Sequence, residues 1–162
     1  MKTPTLHVGI HTLPPEGLAV EATITARELE IPEDERIACP APFELSLRVS
    51  RVKGGILAQG TLSGSLRCRC DRCLTYFTRI IPATPVCHLY PEVKSDFIDL
   101  TEDVRDDILL TFPQYGFCRD SCKGLCPGCG ENLNVRECTC EKISGGNTAW
   151  SSLDQLNLST DK

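Results

Sequence analysis

Six of the chain's eleven cysteines fall in one short stretch. It reads Cys118-Arg-Asp-Ser-Cys122-Lys-Gly-Leu-Cys126-Pro-Gly-Cys129-Gly-Glu-Asn-Leu-Asn-Val-Arg-Glu-Cys138-Thr-Cys140. Thiolates two residues apart on a tight turn can share one tetrahedral ion, so this spacing suits structural zinc. Cys126-Pro-Gly-Cys129-Gly130 is the sharpest unit, because the glycine after the second cysteine lets backbone N–H groups approach the sulfur. Either Cys118 with Cys122 or Cys138 with Cys140 could complete four ligands. A further group, Cys68-Arg-Cys70-Asp-Arg-Cys73, holds a second CxxC. Two arrangements follow. One is a single zinc bound within Cys118–Cys140 with two spare thiols, which is the simpler. The other joins Cys70 and Cys73 to Cys126 and Cys129 as two knuckles of a ribbon, leaving four cysteines for a second ion.

Competing chemistries fit less well. An odd cysteine count suits a complete disulfide framework poorly, and thiols stay reduced in the cytosol, where this chain is expected. Arg69 and Arg72 would favour a reactive thiolate in Cys70-Asp-Arg-Cys73, but a redox CxxC opens a helix, whereas this one links two β patterns. Cys39 and Cys87 read as core or loop residues. His7, His11 and His88 are isolated. Asp99, Glu102, Asp103, Asp106 and Asp107 read as a helix cap and a solvated helix face. No phosphate-binding loop, dinucleotide fingerprint or nucleophile elbow is present, so no enzyme is expected.

The elements that must position these residues read as mostly β. Phe43, Leu45, Leu47 and Val49 alternate with polar residues, the pattern of a strand with one buried face. Lys53-Gly54-Gly55 turns the chain back into Ile56–Leu62, which runs on to the Cys68–Cys73 turn. Tyr76–Ile81 leaves that turn as a strand, to be stopped by Pro82 and Pro85. Short strands are expected at His7–Ile10 and Leu18–Val20. One helix is expected over about 101–112, capped by Thr101 and ended by Pro113, with Val104, Ile108, Leu109 and Phe112 on one face. Trp150, Leu153 and Leu156 suit a short terminal helix docked on the body. The expected architecture is α+β: a predominantly antiparallel β body over 1–115, a cysteine-rich zinc loop over 116–142 and a tail over 143–162.

With 162 residues, 41% of them hydrophobic and 24% charged, the composition is that of a globular domain. No apolar run reaches the length of a signal peptide or of a membrane span. The net charge of −5 argues against indiscriminate nucleic-acid binding. Its distribution is uneven. Between residues 45 and 82, Arg48, Arg51, Lys53, Arg67, Arg69, Arg72 and Arg79 face only Asp71, a net +6 that leaves −11 on the rest. A basic middle between acidic flanks suits a phosphate-contacting face.

Three segments carry a family resemblance. Gly64-Ser-Leu-Arg-Cys-Arg-Cys70-Asp-Arg-Cys73-Leu74 is similar to a strand running into a CxRCL signature. Phe97-Ile-Asp99-Leu100 through Ile108-Leu109-Leu110-Thr-Phe-Pro113 is similar to a strand end, helix and closing proline. Cys122-Lys-Gly-Leu-Cys126-Pro-Gly-Cys129-Gly-Glu-Asn132-Leu133-Asn134 with Cys138-Thr-Cys140 is similar to CKGLCPxCGxNLN followed by CxC. In order and spacing the chain resembles the YceD family of large ribosomal RNA subunit accumulation proteins. Many members carry Asp-Pro-Arg near the C-terminus, where this chain has Gly146-Asn147-Thr148-Ala149-Trp150, and some lack the C-terminal cysteines.

The resemblance implies a non-enzymatic role in synthesis, processing or stability of 23S rRNA. Structural zinc would then be a stability device of this branch. Arg48, Arg51, Lys53, Arg67, Arg69 and Arg72 are the residues expected to meet large-subunit precursor rRNA or a pre-ribosomal particle. No membrane or small-molecule partner is expected. The acidic flanks suit an alternative role, an adaptor for a basic ribosomal or processing protein. A thiol oxidoreductase using Cys70 and Cys73 is a weaker alternative.

Overall fold

The computed structural model describes residues 6–140 apart from Glu92 and Lys94. The strongest alternation in the sequence forms its centre. Phe43, Leu45, Leu47 and Val49 all point inward from strand β4 (Phe43–Val52). The Lys53-Gly54 turn leads into β5 (Gly55–Arg69), which pairs antiparallel with β4 from Gly55 opposite Val52 to Ser63 opposite Glu44. At Leu62 to Gly64 the ladder of β5 with the next long strand shifts register. Gly64 is needed there: a β-carbon would sit 2.6 Å from the Phe43 ring.

That next strand, β6 (Tyr76–Tyr90), follows the whole length of β5. The expectation that Pro82 and Pro85 stop it is corrected. Among the described residues β6 pairs with β5 alone, so its other edge carries no ladder there, and a proline costs no sheet hydrogen bond where its nitrogen faces an open edge. β2 (Leu18–Ile24) extends the sheet beyond β4. β3 (Ile37–Ala38) pairs with Cys68 and Arg67 on the edge of β5 that β4 has left. A separate ribbon joins β1 (His7–Gly9) to β7 (Phe97–Asp99).

The single described helix, α1 (Thr101–Leu110), follows β7 directly. Val104 and Ile108 are buried on its inner face, and Leu109 and Phe112 pack at the margin of the core. Its start differs from the expectation. Thr101 is the first helical residue and makes no side-chain cap; the Asp99 carboxylate, two residues back, accepts its N–H at 2.9 Å. Beside the inner face of the helix, Asp107 accepts from His88 Nε2 of β6 at 2.7 Å, and Asp103 accepts the Tyr90 hydroxyl. Residues 143–162, with the expected terminal helix, lie outside the described residues. Among the described residues no helix is long and apolar enough to cross a membrane.

Candidate metal centres and the arginine surface beside them

The eight cysteines at issue separate into two quartets, Cys70, Cys73, Cys118, Cys122 and Cys126, Cys129, Cys138, Cys140, with sulfurs within 4.8 Å of one another in each. The second quartet is the local set in which Cys138 and Cys140 complete Cys126 and Cys129, but Cys118 and Cys122 are not spare thiols, and the ribbon pairing of Cys70 and Cys73 with Cys126 and Cys129 does not form. The turn between β5 and β6 takes Cys118 and Cys122 as its partners, and Cys126 with Cys129 closes on Cys138 with Cys140.

Backbone pairing explains the first quartet. Residues 114–125 lie along the β5–β6 turn. Asp71 donates its N–H to the Gly116 carbonyl at 2.8 Å, while the Gly116 N–H returns to the Asp71 carboxylate at 2.7 Å. Leu125 N–H then reaches the Arg72 carbonyl at 3.0 Å. This docking brings Cys70 Sγ to 3.8 Å from Cys122 Sγ and Cys73 Sγ to 3.7 Å from Cys118 Sγ. Four sulfurs around zinc at about 2.3 Å lie about 3.8 Å apart, so the cage has the size of a tetrahedral site. Cys70, Cys73 and Cys122 are buried. Outer groups orient them: Cys118 N–H points at Cys70 Sγ at 3.4 Å, and the Asn134 amide donates to Cys122 Sγ at 3.3 Å.

The second quartet is local. Cys126 N–H bonds to the Glu131 carbonyl, and Gly130 N–H returns to the Cys126 carbonyl, which closes a tight turn. Gly130 takes φ +75°, a left-handed conformation that favours glycine. Gly128 N–H lies 3.4 Å from Cys126 Sγ, and Cys140 N–H lies 3.2 Å from Cys138 Sγ. Cys126 and Cys138 sulfurs are 3.2 Å apart. Unlike the first quartet this one opens to solvent, with Cys129 and Cys140 exposed.

The thiol electrostatics suit a dication in each. Burial works against ionising Cys70, but the N–H groups of Cys118, Cys73 and Arg72 aim at its sulfur and bring its pKa down to about 6. The N–H of Cys129, the Cys138 thiol and the N–H of Gly128 bring Cys126 to about 6 as well. Burial and the neighbouring Cys122, Cys73 and Cys70 push Cys118 up to about 12, and Cys129 and Cys138 push Cys140 up to about 12. The first thiolates in each group thus hinder the last, a penalty that a bound cation removes. By contrast Cys68 faces the main core, and burial followed by Glu33 pushes Cys39 up to about 11, the setting of an inert thiol.

The basic residues do not form one patch. Arg48 lies opposite Gln59, whereas Arg67 lies eight positions further along β5, a separation of about 26 Å. Arg48, Arg51 and Lys53 therefore sit at the hairpin end of the sheet, and Arg67, Arg69 and Arg72 at the cysteine end. Arg51 is committed to the fold, donating to the Ile10 carbonyl at 2.7 Å, and Arg48 donates to the Glu16 carbonyl at 3.1 Å. At the other end Arg69 pairs with Glu35 at 3.1 Å, and Arg36 lies 3.5 Å from Asp71. Arg67 and Arg72 have no carboxylate within ion-pair distance among the described residues, and each lies over an aromatic ring instead.

Residues 88–157 match the family model described as Large ribosomal RNA subunit accumulation protein YceD. Over those residues the chain is similar to the YceD family. An uncharacterized protein of Mycobacterium bovis is 32% identical over 108 residues, covering 57% of this chain and 52% of that protein. Large ribosomal RNA subunit accumulation protein YCED homolog 1, chloroplastic, of Arabidopsis thaliana is 43% identical over 53 residues, 33% of this chain and 16% of that protein. Its Zea mays namesake is 44% identical over 45 residues, 27% and 15% of the two chains. The chain thus spans about half the length of the mycobacterial relative it matches. No solved structure matches.

The YceD match begins within β6 and includes the whole second quartet, but only Cys118 and Cys122 of the first. Cys70 and Cys73 precede it and are joined to it in space by the docking of the β5–β6 turn. Sequence reasoning missed Asn134, Tyr76 and Phe117. Each had a faint signal: an asparagine inside the third YceD-like segment, and an aromatic residue within three positions of a cysteine of the first quartet.

Proposed function

We propose that this protein is a non-enzymatic ribosome-biogenesis factor. In this reading it supports synthesis, processing or stability of 23S rRNA by binding large-subunit precursor rRNA or a pre-ribosomal particle in the cytoplasm. The YceD match carries the reading, supported by the printed names of the two plant relatives. Arg67 and Arg72 support it, because the charge of neither is offset by a carboxylate among the described residues, although Arg72 also donates to the Asp120 and Cys122 carbonyls.

Two structural zinc ions belong to the proposal. Cys70, Cys73, Cys118 and Cys122 would hold one, Cys126, Cys129, Cys138 and Cys140 the other. Zinc supplies only charge neutralisation and cross-linking here, since four cysteines leave no open coordination position. Thiol exchange with a substrate needs an accessible thiolate, and Cys70 and Cys73 are 0% and 4% exposed. Their burial favours a ligand role over an oxidoreductase.

Tagging the protein, crosslinking it in growing cells and sequencing the RNA that co-purifies tests the reading. Enrichment of large-subunit precursor rRNA is the expected result. Recovery of proteins with no rRNA above background would favour an adaptor for a basic ribosomal or processing protein. The pairing of Arg69 and Arg36 with carboxylates, which lowers the positive charge of the cysteine end, is the observation on that side.

A further inference from the structure

Around the first quartet, arginine and aromatic side chains come in pairs. The Arg67 guanidinium lies 5.1 Å from the centroid of Tyr76, diagonally across the β5–β6 ladder. The Arg72 guanidinium lies 4.3 Å from the centroid of Phe117. Tyr76 is 54% exposed and Phe117 43%. Large rings left this open, each beside a cation with no carboxylate partner among the described residues, need a reason. A salt-bridged arginine would be quenched, as Arg69 is by Glu35. These two keep their charge and have their planar faces held in place.

The two pairs are built by different means. Arg67 and Tyr76 are set by strand register alone. Arg72 and Phe117 immediately precede Cys73 and Cys118, whose sulfurs are 3.7 Å apart. Arg72 is further fixed by donating to the carbonyls of Asp120 and Cys122, each at 3.3 Å. Closing the first quartet therefore assembles the second pair.

We propose that the β5–β6 turn is a stacking platform for unpaired RNA bases, formed by the Arg67–Tyr76 and Arg72–Phe117 pairs. This rests on the RNA-binding reading above and narrows it to single-stranded segments. Unpaired bases expose π faces that stack on aromatic rings and on guanidinium planes, while the phosphates between them meet the positive charge. Bases inside a duplex already stack on one another, and the deep major groove of A-form RNA hides their edges. Holding each guanidinium on a ring before binding reduces the ordering cost when a base arrives.

Fluorescence anisotropy on the full chain carrying its metal tests this. The probes are a labelled unstructured RNA of about 12 nucleotides and the same strand annealed into a duplex. Tyr76→Ala and Phe117→Ala should each weaken single-strand binding about 5- to 100-fold while leaving duplex binding unchanged. Tyr76→Phe should keep the affinity. Single-strand binding as tight as wild type in both alanine variants overturns the platform, as does equal loss on strand and duplex. If Phe117→Ala loses metal, Tyr76→Ala, whose position depends on strand register, decides alone. Arg67→Glu with Arg72→Glu separates the two levels. Lost RNA binding there, with the ring variants intact, refutes the platform and keeps the RNA reading. Wild-type protein that binds neither probe refutes both.

Discussion

The sulfur of Cys73 lies 3.7 Å from that of Cys118, across 45 residues of chain. Between them run all of β6, β7 and α1, so one small cage fixes the β5–β6 turn to the segment that follows the helix. The second quartet closes only the chain from Cys126 to Cys140. Two cages of similar composition therefore have different consequences. One fastens the sheet to the C-terminal loop, and the other shapes a loop.

Native mass spectrometry of the purified protein should show two zinc ions per chain. Cys118→Ser should reduce this to one and release the loop from the β5–β6 turn. Binding to a structural zinc site is coupled to folding and is worth many kcal/mol, of which even about 3 kcal/mol lowers the melting midpoint of a domain this size by about 6–12 °C. Cys129→Ser should also remove one ion, yet leave the midpoint within about 2 °C of wild type, because none of its quartet's cysteines belongs to a buried core cluster among the described residues. A single ion in the wild-type protein, or equal destabilisation by both variants, would contradict this division.

The two ends of the sheet should behave differently toward RNA. Arg48→Glu with Lys53→Glu changes net charge as much as Arg67→Glu with Arg72→Glu does. If phosphate contact is localised at the cysteine end, only the second pair should reduce binding strongly and flatten its salt dependence. Equal losses from both would mean that long-range charge, not the cysteine end, governs the interaction.

How far the sequence could be read follows from the range of each interaction. The β4–β5 hairpin was legible because its signal is local: period-2 alternation on both sides of Lys53-Gly54. Helix α1 was legible for the same reason, but its cap was displaced to Asp99 because side chains at several neighbouring positions could serve. The full length of β6 was hidden by Pro82 and Pro85, whose cost depends on whether a further strand lies alongside. The cysteines themselves were plain and their partners were not. That Cys118 and Cys122 join Cys70 and Cys73 depends on the hydrogen bonds of Asp71 to Gly116, a residue 45 positions on that belongs to no motif. Arg48 and Arg67 looked like one basic group only because β5 is invisible as a distance until its length is known.

Core truncation at the helix should be costly. Ile108 is fully buried against the sheet, and Ile108→Ala leaves a cavity that the tight surroundings cannot fill. A loss of about 2–5 kcal/mol in denaturant unfolding is expected. Leu110→Ala, at a position 83% exposed on the same helix, should change stability by less than about 0.5 kcal/mol. Comparable effects at the two positions would mean that α1 is not anchored through its Val104 and Ile108 face.

Acid stability should depend on Asp99. Burial opposes its ionisation, but the hydroxyl and N–H of Thr101 and the His7 side chain outweigh this and hold its carboxyl below the usual range. A carboxylate whose folded pKa is depressed adds stability that is complete above its unfolded pKa, near 3.9, and lost as pH falls through the folded value. Asp99→Ala removes both this linkage and the hydrogen bond to the Thr101 N–H at the start of α1. At neutral pH the variant should be about 1 kcal/mol less stable, the usual worth of a capping interaction. The gap to wild type should shrink as urea midpoints are followed from pH 5 down to pH 2, where the wild-type carboxyl becomes protonated. A constant gap over that interval would show that Asp99 acts without its charge. A gap that widens toward acid would mean its carboxyl is held above the ordinary range.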